Sequence, residues 1–226
     1  MKVMMLAAGR GERLRPLTDR IPKPLVEVGG KALIVWHLER LAAAGFAEVV
    51  VNVSHLAEAI VERIGDGTRF GLRIAYSREA EALETAGGIA QALPRLGAPA
   101  FLLVNADIYC EVDFAALERV TLGERLAHLV LVPNPPHRSD GDFSLREGRV
   151  GNTGAPRYTY AGVAVMSPHL LASVRRGEKA PLAPLLRQAA DRELLTGELY
   201  TGLWQDVGTI ERLRELESTL SSRPGS

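Results

Sequence analysis

Residues 6–25 read LAAGRGERLRPLTDRIPKPL: the end of an apolar run passes two glycines and Arg10, Arg13 and Arg15, then reaches a lysine held between two prolines. The run itself, KVMMLAA, has the pattern of a short strand buried on both faces and ending in a glycine turn. A glycine loop between strand and helix leaves backbone N–H groups free to point at an anion, and arginine grips phosphate with a planar fork of donors. Gly9 and Gly11 fill the first two positions of G-x-G-x-x-G, but Leu14 stands at the third. The next strand ends near Asn52 with no acidic residue for a ribose, so a dinucleotide site is disfavoured. GGKA at 29–32 lacks the upstream glycine and the Ser/Thr of a P-loop. Pro24 is expected to hold Lys23 extended while Pro22 fixes its own φ, leaving the segment few conformations to lose. A cation set in advance suits negative charge that grows during a reaction. A solvated basic loop and a turn lysine would each look the same alone; their closeness points to phosphate chemistry.

Outward from this segment, the chain alternates. KALIVWHLERLAAAG repeats Leu33, Trp36, His37, Leu38 and Leu41 at helical spacing, with Gly45 placed to end the helix. AEVVVNV follows as strand, HLAEAIVERIGDG as helix, LRIAYS as strand, AGGIAQAL as a short helix and AFLLVNAD as the most apolar strand. This order predicts a Rossmann-like α/β fold with a mixed, mostly parallel sheet flanked by helices, and ligands at the carboxyl ends of the strands. Both the glycine loop and Asp107 fall at such ends. From about residue 126 LAHLVLVPN, GDFSLREGRV and RYTYAGVAVM read as strands, with REGR as a hairpin tip. PHLLASVRR and APLAPLLRQAADR read as helices, LLTGELYTGLWQDVG as strands and TIERLRELESTL as a closing helix. The expected organisation is a single domain over residues 1–220 with a flexible tail at 221–226.

Composition narrows the function. The chain has 226 residues, with 27 basic and 27 acidic side chains, so no global field favours nucleic acid and any anion affinity is local. Cys110 stands alone, and five scattered histidines show no zinc spacing. No apolar run is long enough to span a membrane and no signal-cleavage pattern follows the first residues, so a cytoplasmic enzyme is expected.

LAAGRGERLRPLT followed by IPKPL resembles the signature of the sugar-1-phosphate nucleotidyltransferases, and the resemblance continues through ETAGGIAQAL, FLLVNAD, YAGVAVM and WQDVGT. It implies the nucleotide-diphospho-sugar transferase type of fold and a reaction joining a nucleoside triphosphate to a sugar 1-phosphate with loss of pyrophosphate. LETAGGI, LAHLVLVPNP, GDFSL and LAPLLRQA look most like members that use UTP and N-acetylmuramate 1-phosphate in peptidoglycan recycling. Carried onto matching positions, the resemblance implies catalytic roles for Arg13, Lys23, Asp107 and Asp206, with Mg2+ on Asp107 and Asp206. It implies nucleotide contacts from Leu6, Ala7, Ala8, Gly9 and Gly11, from Arg13 and Lys23, and from Gly87 and Gly88. Asn105, Asp142 and Gly162 would face the sugar phosphate. No nucleic acid, membrane or obligate protein partner is implied.

Two departures bear on specificity. A glutamine found in many uridylyl and thymidylyl members before the glycine turn is absent, and YSREAEALETAGG offers Glu79, Glu81 or Glu84, so GTP with mannose 1-phosphate stands as an alternative. The E-K-P lysine of many relatives has no counterpart near LREGRVGNTGAPRY, which leaves Arg146, Arg149 and Arg157 as substitutes or as plain hairpin charges. A regulatory subunit that binds nucleotide-sugars without catalysis, and a glycosyltransferase using Asp107 as part of a D-x-D-like metal site, are the rival classes. The glycine loop and the PKP lysine have no role in the latter.

Overall fold

A computed structural model describes residues 1–223. The elements are β1 (Lys2–Leu6), a small hairpin β2 (Glu27–Val28) and β3 (Lys31–Ala32), α1 (Leu33–Ala43), β4 (Glu48–Val53), α2 (Ala57–Ile64), β5 (Arg73–Arg78), α3 (Glu84–Leu96), β6 (Phe101–Asn105) and β7 (Ile108–Cys110). They continue with α4 (Phe114–Glu118), β8 (Ala127–Val132), β9 (Phe143–Arg146), β10 (Arg149–Gly151), β11 (Arg157–Met166), α5 (Leu182–Asp191), β12 (Leu195–Leu199), β13 (Trp204–Asp206) and α6 (Ile210–Ser221). Nine strands form one sheet in the order β5-β4-β1-β6-β11-β8-β12-β10-β9. Traced through their pairings, β4, β5, β6, β8, β9 and β12 run with β1, and only β10 and β11 run against it. The mixed, mostly parallel sheet expected from the sequence is present.

Alternation along the buried strands builds a core on each face. Val3 and Met5 of β1, Val49 and Val51 of β4, and Leu102 and Val104 of β6 pack with Ile34, Leu38 and Leu41 of α1. Met4, Val50, Phe101 and Leu103 point the other way, against Ile89 of α3 and Leu182 and Leu186 of α5. The apolar side chains of β1, β4 and β6 are thereby removed from water on one face or the other, as their near-continuous apolar runs require, whereas the edge strand β5 stays largely exposed. Helix α1 ends as its glycine predicts. Gly45 takes φ +90°, its N–H donates to Ala42 O at 3.0 Å and Phe46 N–H donates to Leu41 O at 3.1 Å, closing a Schellman cap.

Several local expectations change. Lys23 opens a 3-10 turn, Lys23–Leu25, instead of lying extended, because Leu25 N–H donates to Pro22 O at 2.8 Å and closes the turn. PHLLASVRR yields only a 3-10 turn over Pro168–Leu171 rather than a helix. AGGIAQAL is the middle of a longer helix. The REGR tip is present, with Glu147 at φ +47° and Gly148 at φ +75° turning β9 into β10. At the carboxyl end, α6 runs through Ser221 and Arg223 pairs with Glu111; the remainder of the expected tail, 224–226, lies outside the described residues. Among the described residues no helix is long and apolar enough to cross a membrane.

One buried polar group ties this core to the cleft. His37 of α1 is fully enclosed and its Nε2–H donates to Ile108 O at 2.8 Å, next to Asp107. Burial, partly offset by that hydrogen bond, lowers its pKa from 6.5 to about 4. The folded chain therefore binds fewer protons than the unfolded one between these values, so stability rises with pH through that window and is lost as pH falls through it. The expected contribution is about 3 kcal/mol, read as the excess loss of unfolding free energy between pH 7 and 4 in the parent chain over His37→Gln in denaturant titrations. Equal losses would remove His37 from this role.

Candidate active site

The carboxyl ends of β1, β4 and β6 finish level, with Leu6 registered against Asn52 on one side and Asn105 on the other. A network fixes this rim. Asn52 Oδ1 accepts from Ala7 N–H at 2.8 Å, and Asn52 Nδ2 donates to Glu79 Oε1 at 2.6 Å. Glu79 Oε2 accepts Leu83 N–H at 3.0 Å, and Leu6 O accepts Ala106 N–H at 3.0 Å. Both Glu79 oxygens are thus engaged by the protein, and Asn52 is held in one amide orientation. A hollow of about 630 Å³ opens above the rim, walled by Leu6–Arg13, Lys23, Asn52, Glu79, Thr85, Asn105 and Asp107.

Lys23 enters from the loop side. Its side chain is only 8% exposed and Nζ donates to Asp107 Oδ2 at 2.6 Å, whereas the Asp107 side chain is 43% exposed. The ammonium is thus built into the wall and the carboxylate is turned toward the hollow. Gly11 makes the approach possible: at φ +65°, a Cβ there would lie 2.9 Å from Thr18 Cγ2 and 3.0 Å from Lys23 Cβ. Thr18 Oγ1 then donates to Gly11 O at 2.9 Å, locking the loop against the turn. Arg10 and Arg13 line the hollow. Arg15 pairs with Asp19 at 3.2 Å on the surface.

Asp206 comes to the same place through a two-stranded ribbon. β13 pairs antiparallel with β7, setting Asp206 against Ile108, and Val207 N–H donates to Asp107 O at 3.1 Å. Asp206 Oδ2 accepts from Arg212 Nη1 at 2.5 Å, while His137 Nε2 lies 3.3 Å from Asp206 Oδ1 and 2.7 Å from Arg212 Nη1. Each carboxylate already carries a side-chain cation. Among the described residues no group of three or more His, Cys, Asp or Glu gathers for a metal. Two carboxylates, one just before β7 and one at the end of β13, that line the same hollow are an all-oxygen donor set, which fits a hard divalent cation that takes its other ligands from phosphate and water.

A second hollow, of about 610 Å³, adjoins the first and shares Arg13, Glu84, Thr85, Asn105 and Asp107 with it. Its far wall comes from the second half of the chain. β11 carries a bulge between Tyr160 and Ala164, within which Gly162 takes φ +79°. A Cβ on Gly162 would sit 2.7 Å from Asn105 Nδ2, so only glycine lets the bulge close over that amide. Asp142 Oδ2 accepts Tyr160 N–H at 2.8 Å and Arg138 Nη1–H at 3.2 Å, which ties the 133–142 loop to the bulge.

A family model described as nucleotidyl transferase matches residues 2–139. The chain belongs to the nucleotidyl transferase family. It is 50% identical to an N-acetylmuramate alpha-1-phosphate uridylyltransferase of Neisseria meningitidis, over 96% of this chain and 97% of the relative. A protein of the same name from Caulobacter vibrioides is 35% identical over 96% of both. A mannose-1-phosphate guanyltransferase of Neurospora crassa is 30% identical over 92% of this chain and 61% of its own length. In fold, the chain superposes on a structure assigned as a glucose-1-phosphate thymidylyltransferase of Bacillus anthracis, with TM-score 0.86, 19% identity and coverage of 100% and 97% of the two chains.

Within this nucleotidyl transferase, Arg13, Asn105 and Asp107 stand where the hollows join, with Asp206, Asp142 and Gly162 on the second hollow and Leu6, Ala7, Ala8, Gly9, Gly11 and Lys23 on the first, Lys23 reaching the border through its pair with Asp107. Gly87 and Gly88 differ from expectation: both are buried in α3 and neither lines a hollow. A Cβ on Gly87 would lie 2.2 Å from Glu178 O, and one on Gly88 would lie 2.7 Å from Asn52 Nδ2 and Glu79 Oε1. They admit protein atoms, not a ring. Arg146 and Arg157 donate to backbone carbonyls at Ala155, Asn152 and Asp142, and Arg149 faces Glu193, so the three hairpin arginines stay out of the cleft. Sequence reading missed Thr85, His137, Arg138, Arg187 and Arg212; the run of PNPPH and the Thr209 cap of α6 were the available signals for His137 and Arg212. Gly11→Ala should raise KM for the nucleotide by about tenfold or more, since both αL strain and the clash at Lys23 displace the loop. Steady-state kinetics with the sugar phosphate saturating would read this, and an unchanged KM would show that the loop does not hold the nucleotide.

Proposed function

We propose that the chain joins UTP to N-acetylmuramic acid 1-phosphate, giving UDP-N-acetylmuramic acid and pyrophosphate, with Mg2+ as cofactor and the cytoplasmic UTP pool as its source. The observation that carries this reading is the shared border of two hollows at Arg13 and Asp107, with Lys23 held on Asp107 from the first, which gives two anionic reactants a cationic meeting point. The relative at 50% identity over nearly the full length supports the choice of substrates. Engagement of both Glu79 oxygens by Asn52 and Leu83 disfavours that carboxylate as an acceptor for guanine and so favours UTP, although Glu84 also lines the first hollow.

In this reading the uracil and ribose lie along the rim of β1, where Ala8 and Gly9 supply backbone groups and Asn52 and Glu79 set the rim's shape. The loop amides and Arg13 hold the β- and γ-phosphates. Lys23 donates to a non-bridging oxygen of the α-phosphate, so that charge gained there in the transition state meets a cation needing no rearrangement. Asn105 and the backbone at Gly162 hold the sugar phosphate in line. One of its oxygens attacks the α-phosphorus, the bond to the bridging oxygen breaks, and pyrophosphate leaves with that electron pair beside Arg13. Asp107 and Asp206 would hold the divalent cation, which when bound supplies charge neutralisation between the two phosphates. The work is alignment and neutralisation, and no protein nucleophile is required.

Two variants test the roles. Lys23→Gln and Asp107→Asn should each lower kcat by about 100-fold or more in a pyrophosphate-release assay, comparable to losing a transition-state donor, while CD spectra keep the parent's shape; the thermal midpoint of Asp107→Asn should fall, because the Lys23 ammonium loses its carboxylate. Retention of the parent rate by either would remove that residue from the reaction. Crossing UTP and GTP with N-acetylmuramate and mannose 1-phosphates should give the largest kcat/KM for the UTP and N-acetylmuramate pair. A preference for GTP with mannose 1-phosphate would overturn the substrates and leave the family intact.

A further inference from the structure

The second hollow is lined by charge of both signs, Arg13, Arg138 and Arg187 with Glu84, Asp107, Asp142 and Asp206, and His137 stands among them. Arg138 is paired with Asp142, and His137 sits on the Asp206–Arg212 pair. Arg187, by contrast, faces only the amide oxygen of Asn152 at 3.4 Å. Among the described residues no carboxylate lies within ion-pair distance of Arg13 or Arg187, and of these two only Arg187 stands away from the border with the first hollow.

Its place in the fold sharpens the point. Arg187 lies in α5, whose amino end, Pro181 to Ala183, lines the same hollow and has no side-chain cap. Helical side chains lean toward the amino terminus, so Arg187 leans over the turn that carries those first amides. An uncapped helix start and a guanidinium therefore present donors and positive potential to one patch of wall. Beside it, Tyr160 lines the hollow, while its hydroxyl is shielded from water and faces away from a ligand there. Two polar features of one hollow thus face a ligand.

The patch is also on the wrong side for the phosphate. The sugar's 1-phosphate must reach the border with the nucleotide hollow, where Arg13, Asn105 and Asp107 are shared. Arg187, Leu186 and Phe143 belong to the second hollow alone. A group that meets Arg187 is therefore on the part of the sugar remote from its anomeric phosphate, and it is anionic. N-acetylmuramic acid differs from N-acetylglucosamine by such a group, the carboxylate of its lactyl ether.

We infer that Arg187 is a specificity-determining residue that binds the carboxylate arm of the sugar substrate through its guanidinium, with the amino end of α5 completing the anion site. This deepens the proposed function and rests on it. A site built for a carboxylate should reject the sugar that lacks one, because the guanidinium then gains nothing for the water it gives up.

The experiment measures KM and kcat for N-acetylmuramate 1-phosphate and N-acetylglucosamine 1-phosphate, with UTP saturating, in the parent chain, Arg187→Ala and Arg187→Lys. The parent is expected to favour the carboxylate sugar. Arg187→Ala should raise KM for N-acetylmuramate 1-phosphate by about 10- to 100-fold, leave KM for N-acetylglucosamine 1-phosphate and UTP unchanged, and so erase the preference. Arg187→Lys should recover part of it, as a point charge does where a fork stood. Because Arg187 is exposed on its helix, the thermal midpoint should not move. If the alanine variant loses both sugars equally, Arg187 serves the phosphate or the fold; if it keeps the parent's preference, the carboxylate is read elsewhere. Either result overturns this inference alone. A parent chain that uses the two sugars equally overturns the substrate reading, and this inference with it.

Discussion

The ion pair between Lys23 and Asp107 joins two segments that are 84 residues apart, and the rest of the cleft is arranged around it. A nearly enclosed ammonium is tolerated only with a partner at hydrogen-bond distance, because desolvation of an unpaired charge outweighs what packing returns. Asp107 supplies that partner from the end of β6, and by doing so fixes how far the loop after β1 can lie from the strand ends. The tight turn at Gly11, the Thr18 clasp and the 3-10 turn at Lys23 all serve that approach. The pair also leaves Asp107 with one face toward the hollow, so a structural contact and a reactive position share one carboxylate.

The two halves of the sheet divide the labour. The parallel half, β5-β4-β1-β6, ends level and makes a rim stiffened by Asn52 and Glu79. The second half turns β11 against this direction and bulges it at Gly162, which brings its backbone over Asn105. Gly87 links the halves from behind, while Gly88 admits Asn52 and Glu79 of the rim. By admitting the 178–180 segment against α3, with Ala86 and Gly87 N–H groups donating to Ala180 O, Gly87 sets where α5 begins and hence where the outer wall of the second hollow stands.

Charge follows the same economy. A chain with no net charge handles polyanions by local pairing: Lys23 with Asp107, Arg212 with Asp206, Arg138 with Asp142. Such pairs keep the cleft near neutrality and hold each cation in position, while Arg13 and Arg187 line it with no carboxylate among the described residues within ion-pair distance. Substrate phosphates meet a preset array, so less reorganisation is needed at the moment of reaction.

The alternation of apolar runs and periodic helices was legible because strands buried on both faces and helices with one apolar stripe follow from local pattern alone. So was the phosphate loop, since its glycines, arginines and proline-flanked lysine lie within 20 consecutive residues of the quoted stretch. The partners of those residues were not. Nothing in the neighbourhood of Glu79 indicates that both its oxygens are taken by Asn52 and Leu83, and nothing near ETAGG indicates that its glycines face Glu178, Asn52 and Glu79 instead of a base. The convergence of Asp206 on Asp107 depends on the short β7–β13 ribbon, three residues on each strand, too brief to give a periodic signal. Sequence by itself determined which segments form strands and helices and which residue types stand at their ends, because these depend on neighbours in the chain. Tertiary structure alone decided which charges meet, which glycines touch protein and which touch the hollow, and which arginines face the cleft without a carboxylate. Those outcomes depend on close approaches between distant segments, and close approach is set by the packing of the whole sheet.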